Sequence, residues 1–146
     1  MTSITIKSNV GLVRQGLQDL GAEIPKIGRR RIYDAVNRIT RTMEGYPPER
    51  ARQTYVRTGT LYAGWQVKKL DDGYQIVNYA ARRGRRYARY VVGDAFGTGQ
   101  AWMHAGRWQL FRDVVEDEMA QLPPVVAREI ELVARHKMAN KSAVSL

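Results

Sequence analysis

The chain has no cysteine and only two histidines among its 146 residues, and it has no long hydrophobic run. Without cysteine it can form no disulfide framework, no thiolate zinc site and no cysteine nucleophile. No apolar stretch approaches the ~20 residues that a membrane-spanning helix needs, so we expect no membrane association. Residues 1–7 lack a basic region followed by an apolar stretch, so we expect no secretory signal. Synthesis and folding in a reducing cytoplasm fit these absences best.

Acidic residues are scarce relative to basic ones. Twenty-four Lys and Arg residues stand against fourteen Asp and Glu, which gives a formal net charge of +10. The excess is confined to residues 1–100, which hold eighteen basic and eight acidic residues, whereas residues 101–146 hold six of each. This uneven distribution favours a basic face that meets a polyanion, either a nucleic acid or an acidic protein surface. The alternative is a solvated surface that keeps the protein soluble.

The order of the elements along the chain is helices, then sheet, then helices, which predicts an α+β fold. Apolar residues at helical spacing predict a helix over 8–22, and after Pro25 the same spacing continues to Met43. Tyr46-Pro47-Pro48 ends this helical region. Alternating patterns around an Asp-Gly turn predict a small antiparallel sheet, with strands at 65–70, 74–78 and 87–92.

The C-terminal part of the chain is helical by its spacing. The apolar residues from Trp108 to Leu122 predict one helix, Pro123-Pro124 is expected to break it, and a last helix is expected up to Met138. We expect the long N-terminal helix and these C-terminal helices to pack on the sheet. The prediction is a single α+β domain over 1–140, followed by a flexible tail over 141–146.

No strong catalytic constellation is present. His104 and His136 lack the spacing of a metal-binding helix, and Gly97-x-Gly99 lacks the Lys-Ser/Thr of a phosphate-binding loop. His104 could act as a general base with Asp94, but a loop-anchoring hydrogen bond is the better interpretation. We therefore expect a protein without enzymatic activity, cofactor or metal.

The strongest local feature is a run of five arginines within eight residues. On a hairpin tip, such side chains can reach phosphates without reading bases, and this binding weakens steeply with salt. Equally, they could pair with acidic residues of a neighbouring subunit, such as those over 113–118. The DNA-facing or neighbour-facing residues are Arg82, Arg83, Arg85, Arg86 and Arg89.

The aromatic residues are biased toward rings with a polar end, since there are eight Tyr and three Trp but only two Phe. This bias is typical of protein interfaces. Trp108, at helical spacing with Phe111, is expected in the core, whereas Trp102 is the best candidate for an interface anchor.

Several short blocks in a fixed order resemble a family of tailed-bacteriophage tail-component and neck proteins, which join head to tail or complete the tail. The family pattern is a helix that ends in a proline segment, an Arg-Thr-Gly-x-Leu turn, a β-hairpin, a Tyr-Ala-x-Tyr-Val strand, a glycine-rich loop and a His-x-Gly-Arg segment. The sequence departs from it by an arginine-rich insertion over 82–86 and a longer loop over 93–99. The matching blocks are 46–48, 55–61 with Trp65, 78–80, 87–91 and 100–108.

The resemblance implies a structural virion protein, made in the host cytoplasm, that forms a ring of identical subunits at the neck. Such a ring contacts a portal-side adaptor or head-closure protein and a tail terminator or tail-tube protein, with non-specific DNA contact in its lumen. The family motif falls on Thr58, Gly59, Leu61 and Trp65. The expected subunit-interface residues are Tyr55, Arg57, Trp102 and His104.

One alternative function is a small basic ribonuclease of the toxin type, in which arginine and tyrosine perform phosphodiester chemistry without histidine or metal. Arg85, Arg86, Tyr87 and Arg89 are its candidate residues. This interpretation leaves the Tyr-Pro-Pro and Arg-Thr-Gly-x-Leu blocks unexplained. A DNA-binding regulator is less favoured, because no helix-turn-helix or ribbon pattern is recognisable.

Overall fold

The computed structural model describes residues 10–53 and 57–143, and in these ranges the chain forms four helices and two separate β-hairpins. The elements in chain order are α1 (Val10–Glu44), α2 (Thr60–Ala63), β1 (Trp65–Lys69), β2 (Tyr74–Asn78), β3 (Ala81–Arg82), β4 (Arg85–Arg86), α3 (Ala88–Val92) and α4 (Phe111–Ala143). No helix in this part of the chain has an apolar stretch long enough to cross a bilayer. The α+β class is confirmed.

The chain divides into two compact units. The first, which we call the helical unit, combines the chain up to Arg30 with the chain from Pro124 onward. The second, the core unit, is Arg31–Pro123. In the helical unit, Ile27 is buried and Arg30 forms an ion pair with Glu129. The single domain over 1–140 stays a prediction. Of the predicted tail, residues 141–143 are helical and the remainder lies outside the described residues.

The N-terminal helix is one continuous element rather than two segments that meet at Pro25. α1 runs for 35 residues with Pro25 inside it. In its second half, Ala35, Val36, Ile39 and Met43 recur at helical spacing and are all buried. This apolar stripe is the face that the core unit covers, and the helix ends one residue before Gly45.

The expected break at Pro123-Pro124 is wrong, because α4 continues through both prolines to Ala143. A proline fixes φ near the helical value, so the cost is lost hydrogen bonds and local crowding rather than an incompatible dihedral angle. The division between the two units falls at the same pair of prolines. The C-terminal region is therefore one long helix rather than two.

β1 and β2 form an antiparallel hairpin whose register places Trp65 opposite Asn78 and Lys69 opposite Tyr74. Trp65 is buried at the base of this hairpin, where its ring stacks on Phe111 with centroids 5.6 Å apart. The turn is closed by the Leu70 N–H, which donates to the Gly73 carbonyl. The Asp-Gly turn signal and both strands are confirmed.

The third strand predicted over 87–92 is wrong, because α3 occupies Ala88–Val92. Val91 and Val92 are both buried, and Tyr87 and Ala88 pack against the same core. Residues at i, i+1, i+4 and i+5 share one face of a helix, whereas neighbours in a strand point to opposite faces. The pattern Tyr-Ala-x-x-Val-Val therefore carries a helical signal that alternation obscured.

Candidate functional site

The arginine run forms its own short hairpin. β3 and β4 pair antiparallel in the register Ala81↔Arg86 and Arg82↔Arg85. The turn between them uses positive φ at both central residues, 52° at Arg83 and 75° at Gly84. Such turns match the twist of a two-residue hairpin. Arg82 thus faces Arg85 directly, and like charges in this position are destabilising unless an anion lies between them.

Three arginines of this hairpin line a cleft of about 700 Å³ in the core unit. Arg57 lines the same cleft from the segment before α2. Among the residues that the structure describes, no Asp or Glu lines it, so the cleft carries four arginine charges without a carboxylate. The remaining polar and aromatic lining comes from Tyr46, Thr58, Thr60, Tyr87, Tyr90, His104 and Trp108.

Arg57 is the most unusual of these arginines. Its side chain is only 15% exposed, and its Nε and Nη2 atoms are buried without a hydrogen-bond partner in the described part of the chain. The guanidinium lies over the Tyr46 ring at 5.3 Å, and the nearest carboxylate oxygen, from Glu49, is 3.8 Å from Nε. A buried cation with unused donors is costly. It is the kind of group that a bound anion completes.

Two of the four predicted family-motif residues, Thr58 and Leu61, line the cleft, and Gly59 and Trp65 lie beside them in the chain. Gly59 has a φ of 73° immediately before α2, a conformation that favours glycine. The Thr58 and Thr60 hydroxyls are hydrogen-bonded at 2.7 Å. Leu61 is buried, and its carbonyl accepts a hydrogen bond from Asn78 Nδ2 at 3.0 Å. The turn is thereby fixed to the base of the β1–β2 hairpin, where Trp65 lies.

Arg89 does not share the cleft. Its Nη2 is 3.2 Å from an Asp94 carboxylate oxygen. That carboxylate also accepts hydrogen bonds from the Phe96 and Thr98 N–H groups and from the Thr98 hydroxyl. The Thr98 hydroxyl, above all, lowers the pKa of Asp94. Of the five arginines, three thus line the cleft, Arg83 occupies the hairpin turn, and Arg89 secures the loop after α3.

The same loop presents two large apolar rings to solvent. Phe96 is 82% exposed and Trp102 is 85% exposed. The loop is nevertheless fixed, since Gln100 Nε2 donates to the carbonyls of Val91 and Trp108, at 2.8 and 3.1 Å. A loop that is held in place while it exposes aromatic rings is typical of a protein-binding surface. Trp102 is therefore exposed on this loop, and its role as an interface anchor stays a prediction.

His104 is half-buried, lines the cleft and packs edge-on against Trp108 with centroids 6.3 Å apart. Burial, and then repulsion from Arg107 and Arg50, lowers the pKa of His104. None of the contacts of Asp94 described above involves His104, so the structure does not join them as an acid–base pair. Tyr55, the other aromatic residue predicted at the interface, lies outside the described residues.

Three of the four acidic residues over 113–118, the proposed partners of the arginines, are paired within the chain, and Asp117 is exposed. Asp113 and Glu116 pair with Arg112, and Glu118 accepts from Arg38 Nε at 2.9 Å. In the described ranges, no three His, Asp or Glu side chains lie together as a potential metal site.

Sequence reasoning missed one feature of this site and one exposed acidic pair that lies outside it. It did not join Arg57 to the hairpin arginines, because 25 residues separate Arg57 from Arg82 and no local pattern links them. It also assigned no role to Asp71-Asp72, which lie exposed at the β1–β2 turn. An acidic pair at a hairpin tip in an otherwise basic segment is the signal that could have found the second feature.

Comparison with protein-family models, with curated proteins and with solved structures finds no match for this chain.

Proposed function

We propose that this protein is a non-catalytic structural component of a tailed-phage neck, which assembles as a ring of identical subunits and joins or completes the tail. The family resemblance suggests the location. The surface of the core unit supports the assembly role, because it exposes aromatic rings and presents a cationic cleft, both of which suit a protein that works through contacts.

The observation that carries the proposal is the fixed loop that exposes Phe96 and Trp102. Large apolar side chains on a mobile loop could fold back, but hydrogen bonds from Gln100 and to Asp94 hold this loop in place. Burying each ring against a partner removes apolar area from water at about 25 cal/mol per Å². A neighbouring subunit, the portal-side adaptor and the tail tube are the partners that a neck position provides.

The hairpin arginines suit a subunit through which DNA passes. Arg83 lies at the exposed turn and does not line the cleft, so it is the arginine best placed for a phosphate outside the cleft. Contacts of this kind are independent of base sequence and weaken with salt. We therefore assign DNA contact to the outer side of the hairpin.

The test is the position of the chain in tailed particles produced by a host that carries its gene. Antibodies against the purified chain should label the junction of head and tail in electron micrographs. Label at the capsid surface or the tail tip, or particles that lack the chain, would contradict the proposal. Particles made with Trp102→Ala should carry less of the chain at the junction, whereas Gln66→Ala, an exposed change on β1, should not reduce it.

A toxin-type ribonuclease is the second candidate, and one observation favours it. Arg85, Arg86 and Tyr87 line the same cleft as His104, although Arg89 does not. Beyond the arginine and tyrosine chemistry expected from the sequence, the cleft also holds a histidine, and the lowered pKa of His104 favours the neutral form that can accept the proton of a ribose hydroxyl. Incubation of RNA with pure protein decides: cleavage that Tyr87→Phe and His104→Ala abolish would favour the enzyme, and intact RNA would exclude it.

A further inference from the structure

We propose that the arginine-lined cleft of one copy receives the Asp71–Asp72 turn of a second copy. The inference rests on the proposed ring assembly and names the contact that would build it. It pairs an arginine-lined concave surface of the core unit with an acidic projection of the same unit.

The cleft has the charge and the unused donors to bind carboxylates. Arg57, Arg82 and Arg85 line it, and Arg57 Nε and Nη2 are buried without a hydrogen-bond partner in the described part of the chain, with the Glu49 carboxylate 3.8 Å from Nε. Arginine binds carboxylates through two parallel hydrogen bonds, and two neighbouring carboxylates would serve two guanidinium groups. They would also relieve the repulsion across the Arg82–Arg85 pair.

The β1–β2 turn supplies two adjacent carboxylates on a narrow projection. Asp71 and Asp72 are both exposed, and the Leu70–Gly73 hydrogen bond holds the turn that carries them. Lys68 does not crowd this turn, since its ammonium lies over the Tyr79 ring at 4.9 Å. The acidic run on α4 is a weaker candidate, because Asp113, Glu116 and Glu118 already pair with arginines of their own chain, which leaves Asp117 as a single exposed carboxylate rather than an adjacent pair.

The hairpin holds the turn away from the cleft wall of its own chain. The base of the hairpin adjoins the cleft wall, where Asn78 bonds to Leu61 and where a Cβ on Gly64 would lie 2.7 Å from the Ala80 nitrogen. The turn lies at the opposite end of β1, about 17 Å away for five residues at about 3.3 Å each. The acidic turn and the arginine-lined cleft lie at opposite ends of one hairpin, so their contact joins two copies head to tail. Repeated head-to-tail contacts close into a ring when the rotation between subunits permits.

The cleft suits a carboxylate-bearing turn better than a single-stranded nucleic acid. Base stacking needs free aromatic faces. Tyr46 and Trp108 instead pack edge-to-face at 5.3 Å, and Tyr87 is half-buried. Tyr90 is the exposed ring among the described residues of the lining. The site thus offers much charge and little stacking area.

Charge reversal tests the contact. One variant reverses the turn, Asp71→Lys with Asp72→Lys, and another reverses the cleft, Arg82→Glu with Arg85→Glu. We expect the wild-type chain to self-associate at low salt, and each variant alone to associate at least about tenfold more weakly. An equimolar mixture of the two should regain association, because the lysine turn meets the glutamate cleft while the aspartate turn of the other meets the arginine cleft. Sedimentation velocity measures association in the wild type, in each variant and in the mixture.

Two further variants guard against misfolding and against general charge effects. Asp71→Asn with Asp72→Asn keeps residues that favour the turn and removes only the charge, so it should also weaken association. Arg83→Glu reverses one arginine charge on the same hairpin outside the cleft, half the charge change of the cleft variant, and should leave association unchanged. Circular dichroism confirms that each variant is folded.

Several outcomes overturn the inference. A wild-type chain that stays monomeric, or an assembly indifferent to both reversals, contradicts it. So does a cleft that binds a single-stranded oligonucleotide, with binding lost in the cleft variant while association is unaffected. Antibody label at the head–tail junction together with any of these results would leave the proposed function standing and reject only this contact.

Discussion

The two hairpins of the core unit differ in what holds them. The β1–β2 hairpin has five-residue strands, and its base is built into the core through Trp65 and Ile76. The β3–β4 hairpin has two-residue strands, all of its residues are exposed, and its one central cross-strand pair is Arg82 against Arg85. Packing against the core explains why the first hairpin forms. The second hairpin has no such packing, and its facing arginines lower the stability of the isolated chain.

The comparison predicts that stability and binding depend on different hairpins of this fold. Residues at the base of β1–β2 should govern unfolding, and residues of β3–β4 should govern association while hardly affecting unfolding. The β1–β2 hairpin is bonded to α2 at the cleft wall and the β3–β4 hairpin lines the cleft, so a well-packed hairpin lies beside an exposed and highly charged one.

The largest expected effect comes from the base of the first hairpin. Trp65→Ala removes a buried ring that stacks on Phe111, and loss of a buried aromatic side chain costs about 3–5 kcal/mol of unfolding free energy. Urea unfolding followed by circular dichroism measures the loss. Gln66→Ala, the exposed neighbour on the same strand, should change stability by less than about 0.5 kcal/mol. Equal effects of the two substitutions would break the comparison.

A second substitution tests how closely Gly64 packs against Asn78 and Ala80 at the base of the same hairpin. A Cβ on Gly64 would lie 2.6 Å from Asn78 Oδ1 and 2.7 Å from the Ala80 backbone nitrogen, so Gly64→Ala should cost about 1–3 kcal/mol. Gly73→Ala at the turn meets nothing within 4 Å and serves as the matched control. A Gly64 variant as stable as the Gly73 variant would show that the hairpin base is less tightly packed than described.

The second hairpin should respond in the opposite way. Arg82→Gln removes one of two facing like charges, so the unfolding free energy should stay within about 0.5 kcal/mol of wild type or rise slightly. The same substitution should weaken self-association. If it destabilised the fold by as much as the Gly64 variant, β3–β4 would be a structural element and the separation of roles would fail.

The smallest expected effect is a pH dependence of stability that arises in the loop after α3. This loop is a third exposed segment, and unlike β3–β4 it is held by hydrogen bonds to the Asp94 carboxylate. The Thr98 hydroxyl, two backbone N–H groups and Arg89 lower the pKa of Asp94 below its ordinary 3.8. Its contribution to stability is therefore present above pH 3.8 and lost as the pH falls through the lower folded-state pKa. The unfolding free energy of Asp94→Asn should fall less steeply than that of the wild type as the pH is lowered. Thr98→Val, which removes the hydroxyl donor, should give an intermediate profile, and identical profiles in all three proteins would contradict the anchor.

Much of the fold was predictable because its signals are local. A few neighbouring residues are enough to predict the apolar stripe from Ala35 to Met43, the Asp-Gly turn and the arginine hairpin tip. The errors arose where two local signals compete. Over 87–92, the apolar residues of a helical face also fit the alternating pattern of a strand. At Pro123-Pro124, the missing N–H groups predict a helix break, whereas the fixed φ of proline allows the helix to continue.

The site was less predictable, because it depends on residues distant in sequence. The exposure of Trp102 follows from its loop, but the meeting of Arg57 with the β3–β4 arginines depends on how α2 is bonded to the hairpin base. Which carboxylates remain available depends on pairs such as Arg38–Glu118, formed across 80 residues. Neither relation leaves a pattern in the sequence.

Cross-linking between copies tests the central claim most directly. Because the chain has no cysteine, Asp72→Cys with Thr58→Cys introduces the only thiols, one at the turn and one on the cleft wall. A disulfide needs Cα atoms within about 7 Å, which the rigid hairpin denies to a pair within one chain. Mild oxidation should give a ladder of covalent oligomers, with neither single variant extending beyond a dimer. Monomers alone after oxidation, with both thiols still free, would contradict the account.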